Sequence, residues 1–217
     1  MAAKPLLLIA LCSFLVCGGA GRAEYYDQPR ELDITGPYIQ PPSGMVFPEN
    51  VSAFQRTGIV SYNSERTEES VDYLLDAPDK KIAVSVYVYP VPAELGELAK
   101  ALSGSDLAQA WDMLGEQLYG EEEQAIVELH PGAEVVQEGE TVFEQHGVRY
   151  PGALAVFHYD EDFYGHDTPV ESRLYLFPMV AGKWMVKYRV TFPQDTNGAA
   201  DVDAFLHGLA WTIRGLK

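Results

Sequence analysis

The sequence predicts an α+β domain, an antiparallel sheet with helices packed on it. Three observations lead there. The stretch 81-KIAVSVYVY-89 alternates strictly: Ile82, Val84, Val86 and Val88 fall on one face, and Ala83, Ser85, Tyr87 and Tyr89 on the other. That is the period of a strand. Leu95, Leu98 and Leu102 then recur at helical spacing. The full order is strands, helices, strands and a last helix, which is the α+β pattern and not a βαβ array.

The elements follow in order. Lys4 supplies a positive charge before the eleven apolar residues from Leu6 to Val16, and Gly21-Arg22-Ala23 has the small-x-small form of a signal-peptidase site. Residues 1–23 therefore read as a cleaved signal peptide. The run is far short of the ~20 residues a spanning helix needs, so no transmembrane span is expected after cleavage. The alternative is a lipid anchor through Cys17, which the bulky Val16 before it disfavours. Residues 24–50 carry Pro29, Pro37, Pro41, Pro42 and Pro48 and read as an extended Pro-rich lead-in. Residues 51–217 form a single α+β domain.

Within it, 54-FQRTGIVSY-62, 69-ESVDYLL-75 and 81–89 form a three-stranded meander. Pro92 opens a helix over 93–102. Leu107, Ala110, Trp111, Leu114 and Leu118 mark a second, with a break expected at Gly120 before 121–129 continues. Glu121, Glu122 and Glu123 complement the dipole at the start of that segment. Strands are expected at 133–139, 141–147, 148–159, 170–178 and 183–192. A final helix over 199–214 is capped by Asn197 and buries Val202, Phe205, Leu206, Leu209 and Ile213.

Charge and cysteine content narrow the function. Both cysteines, Cys12 and Cys17, lie in the signal peptide, so the mature chain is held by its core alone. Removing Lys4 and Arg22 takes the formal charge from −17 to −19. Such a surface repels nucleic-acid phosphates and anionic lipid, and fits a periplasmic or secreted protein. Gly-x-Ser-x-Gly, His-Glu-x-x-His and phosphate-loop motifs are all missing, as is a cysteine nucleophile in the mature chain. A non-enzymatic domain without a cofactor is the expectation.

In the last hairpin, a three-residue loop Val180-Ala181-Gly182 would pair Leu174 with Tyr188, Leu176 with Val186, Arg173 with Arg189 and Tyr175 with Lys187. One face would then be apolar and the other basic. With Arg149 added, Arg149, Arg173, Tyr175, Lys187 and Arg189 would share a face able to bind a small anionic ligand or an acidic envelope protein. The structural alternative is that acids of a covering helix neutralise these cations.

With these elements placed, 47-FPENVSAFQRTGIVSY-62, 84-VSVYVYP-90 and 182-GKWMVKYRVTFP-193 give the chain its likeness to a family. It resembles exported proteobacterial proteins with a PsbP/Mog1/DcrB-like domain. The resemblance implies an α/β/α sandwich around an antiparallel sheet, and a binding or accessory role over catalysis. It implies no chemistry of its own.

One passage suggests a different function. The stretch 158-HYDEDFYGHDTPVE-171 places Asp160, Asp162 and Glu171 at positions one, three and twelve of a calcium loop, with Gly165 at six. His158 and His166 make a zinc version conceivable. Strands flank it where such a loop needs helices, so an acidic hairpin connection is the plainer reading. A calcium- or zinc-dependent module is the alternative to the binding domain.

Overall fold

The computed structural model describes residues 25–91 and 118–215. The signal peptide, the helix expected over 93–102 and the start of the next helix lie outside the described residues. In chain order the elements are β1 (Tyr25–Glu31), β2 (Tyr38–Ile39), β3 (Val46–Phe47), β4 (Asn50–Val51), β5 (Phe54–Asn63), β6 (Glu69–Ala77) and β7 (Lys80–Pro90). Helical residues 118–129 (α1) follow. Then come β8 (Glu134–Gln145), β9 (Val148–Asp162), β10 (Asp167–Val180), β11 (Trp184–Pro193) and α2 (Ala199–Gly208). The main sheet runs β1-β5-β6-β7-β11-β10-β9-β8, all antiparallel, with β4 also pairing with β5.

Two meanders thus meet side by side at β7 and β11. The first, β5-β6-β7, is the one the sequence indicates. The second runs β8 to β11 through three tight turns: His146-Gly147, Tyr164-Gly165 and Ala181-Gly182. In each turn both residues have positive φ, the conformation of the two-residue turns that match strand twist.

The sheet is covered on both faces. Ile82, Val84, Val86 and Val88 face a core shared with Val202, Phe205 and Leu206 of α2 and with Trp211 and Ile213 beyond it. On the opposite face Ile126 of α1 packs with Ala155, Phe157, Tyr159 and Leu174. Gly152 lies where β9 passes β10 closely: an added Cβ would stand 2.4 Å from the Leu176 carbonyl oxygen.

Several expectations are corrected. The lead-in is part of the domain. Strand β1 extends the sheet, and Tyr38, Met45 and Phe47 are almost fully buried. Arg56 pins the segment by donating to the carbonyls of Ile34, Gly36 and Phe47. The segment alternates more exposed residues with the buried Tyr38, Gln40, Ser43, Met45 and Phe47, so it packs on the domain and is not a linker. Gly120 does not interrupt α1. The strands expected at 133–139 and 141–147 are one, β8, irregular between Val135 and Gln137. The helix α2 ends at Gly208, and its N-cap is Gly198, with no side-chain cap. Residues after Gly208 extend along the sheet, where Gln145 bonds the Trp211 amide and the Leu209 carbonyl.

The β10–β11 register is also corrected. Tyr175 stands opposite Tyr188, Leu174 opposite Arg189 and Leu176 opposite Lys187. A two-residue turn at Ala181-Gly182 replaces the three-residue loop and slips the pairs from Val170 to Phe177 by one, with an irregularity between Phe177 and Val180, moving alternate side chains to the other face. The slip is tolerated because both faces are covered, so neither strand has a solvent side to enforce alternation.

Candidate functional site

The slip divides the basic face. Lys187 and Arg189 point toward α1 with Leu174 and Leu176. Arg173 and Tyr175 point toward α2 with Val190 and Tyr188. Arg149, opposite Glu144 on β8, is exposed. Arg149, Arg173, Tyr175, Lys187 and Arg189 are therefore not one surface.

Each cation has its own surroundings. Lys187 is 4% exposed and donates to Glu122 Oε2 at 2.8 Å, with its ammonium 4.4 Å from the centre of the Tyr87 ring. Tyr89 donates its hydroxyl to the other Glu122 oxygen. Thus Glu122, read from the sequence only as a dipole complement, neutralises a strand lysine from a covering helix. Arg173 is held 2.6 Å from Glu171 and lies over the Phe192 ring.

Arg189 differs. Its Nε donates to Ser172 Oγ at 2.6 Å and its Nη2 to the Tyr159 hydroxyl at 2.8 Å. Ser172 Oγ is also 3.2 Å from Thr191 Oγ1. Among the described residues no carboxylate lies within ion-pair distance of Arg189, and its Nη1 makes no hydrogen bond. Half-buried under hydroxyls, it keeps unused donors of the planar fork that suits carboxylate and phosphate.

Beside it lies a second polar group. His130, in the turn after α1, stacks on Tyr159 with ring centres 4.1 Å apart, and its Nδ1 is 3.8 Å from Glu161 Oε2. Burial and the nearby Arg189 charge lower His130 to about 4. Burial raises Glu161, against the pull of Arg189 and with the push of Asp162. Glu161 Oε2 has no hydrogen-bond partner.

The 158–171 passage is mostly strand. Only 163–166 turn, and the ladder places His158 opposite Glu171, Asp160 opposite Pro169 and Asp162 opposite Asp167. His158, Asp160 and Asp162 share a face but are spaced along a strand at ~6.5–7 Å per two residues. Asp162 caps the turn, accepting from the Gly165 amide at 2.6 Å, and Glu171 is engaged by Arg173. Asp160, Asp162 and Glu171 do not converge. Among the described residues no group of three His, Cys, Asp or Glu side chains could hold a metal ion.

Sequence reasoning missed Ser172, Thr191, Tyr159, His130 and Glu161 as neighbours of Arg189. No local motif joins them; they come from three strands and a turn. No protein-family model matches the chain, and no curated protein is significantly similar to it. No helix among the described residues is long and apolar enough to cross a membrane.

Proposed function

We propose that the chain is a non-enzymatic binding or accessory domain that works in the periplasm or the medium. Its sandwich would be of the PsbP/Mog1/DcrB-like kind, an arrangement supported by a helix against each face of the sheet. The working group is Arg189, and the ligand is a small anion or an anionic group of an envelope protein. The observation that carries this reading is the hydroxyl lining of Arg189 in place of a carboxylate. Lys187 and Arg173 are neutralised internally, whereas Arg189 retains charge and donors for a charge-assisted bond.

The test uses inorganic phosphate and citrate as probes, with the thermal midpoint as readout. Wild-type protein and an Arg149→Gln variant should gain stability saturably, and Arg189→Gln should not. Equal shifts in all three, or none in the wild type, would remove Arg189 from the function.

A further inference from the structure

Among the described residues, the sheet ends at β8 in an edge that no other strand covers. Strand β8 is twelve residues long and, among the described residues, pairs only with β9. Residues 134–140, Val142 and Glu144 are exposed. Half of its main-chain N–H and C=O groups therefore have no strand partner among the described residues, and such a row is a template for another strand. Apolar side chains collect at the same place. Of the seven large apolar residues exposed among the described ones, Val135, Val136 and Val142 lie on β8, and Val148 opens β9.

Charge selects the occupant. The ladder with β9 puts Glu138, Glu140, Val142 and Glu144 on one face in sequence, opposite Ala155, Ala153, Pro151 and Arg149. Strand β8 contains no Lys or Arg. Among the described residues Glu138, Glu140 and Glu144 make no ion pair. A second copy added to this edge would bring the same carboxylates toward their own kind, so self-pairing is opposed.

We propose that β8 receives an extended basic peptide segment of a partner protein as an additional strand. Main-chain hydrogen bonds would provide the attachment. Alternate Lys or Arg side chains opposite Glu138, Glu140 and Glu144, with an apolar residue opposite Val142, would provide selectivity. This surface is separate from Arg189, so the two readings can fail independently.

The probe is a synthetic peptide, Lys-Thr-Val-Thr-Lys-Thr-Lys, titrated against the protein and followed by amide hydrogen exchange. Comparators are the same peptide N-methylated at alternate residues, which cannot complete a ladder, and a version with Glu for Lys. Binding of the parent peptide alone is expected, with slowed exchange confined to 134–145. A Glu138→Gln/Glu140→Gln/Glu144→Gln variant should bind about tenfold more weakly. Equal binding of the N-methylated peptide would reduce the effect to bulk charge attraction and overturn the proposal. So would protection at β1 in place of β8, or a triple variant that binds like the wild type.

Discussion

Lys187 of β11 and Glu122 of α1 form an ion pair of 2.8 Å, 65 residues apart in the chain. The pair fastens the helix to the sheet and uses up a cation that an alternating pattern would have offered to a ligand. Lys187 is buried while Glu122 keeps some contact with water, so the two partners tolerate loss differently.

Glu122→Ala should therefore cost up to about 3 kcal/mol, the low end for breaking a buried pair. Lys187→Met should cost less, since it removes the buried charge itself. Urea unfolding of both single variants and the double variant checks this. Independent, additive losses would mean the pair is not coupled.

His130 sets a pH dependence whose sign can be worked out. Its pKa is about 4 in the fold against 6.5 for an ordinary histidine. Between those values the unfolded chain binds more protons, so stability rises with pH and is lost as pH falls through this window. The loss should be about 2–3 kcal/mol. Glu161, raised by burial, contributes with the opposite sign. His130→Phe keeps a ring against Tyr159 and cannot titrate there. The stability difference between wild type and variant should change from pH 6.5 to 4, and a constant difference would refute the assignment.

Phe47 tests the incorporation of the lead-in. It is 1% exposed and stacks beside Tyr38, whose ring is also buried. Phe47→Ala should cost about 3–5 kcal/mol. A neutral result in urea titration would return residues 24–50 to the status of an extended lead-in.

Metal dependence is the remaining check on the 158–171 hairpin. A specific ion at a hundred times its Kd would add about 2.7 kcal/mol. Because Asp160, Asp162 and Glu171 do not converge, thermal midpoints in EDTA, calcium and zinc should coincide. They should do so in the wild type and in an Asp160→Asn/Asp162→Asn variant. A rise with one ion in the wild type alone would show that the carboxylates gather on binding.

The legible parts of this protein were those governed by neighbours in sequence. Ile82, Val84, Val86 and Val88 alternate, and all four enter the core shared with α2. Val202, Phe205 and Leu206 repeat at helical spacing and are buried as that spacing requires. Gly182 marks a turn. The order of elements through β5, β6 and β7 follows from the same short-range signals.

The β10–β11 register was not legible, because β11 is buried on both faces and its alternation carries no solvent side. A turn one residue shorter then redistributed Arg173, Tyr175, Lys187 and Arg189 between two faces. The neighbours of Arg189 were hidden for a related reason: Ser172, Tyr159 and His130 meet it only after three strands pair and α1 docks.

The sequence by itself determined which segments alternate, which recur at helical spacing and where the chain turns, since those depend on residues a few positions apart. The tertiary structure decided which charges are neutralised, which remain available and which strand edge stays open. Those properties depend on pairings across tens of residues, and a one-residue change in the β10–β11 turn is enough to redistribute the charges between the two faces.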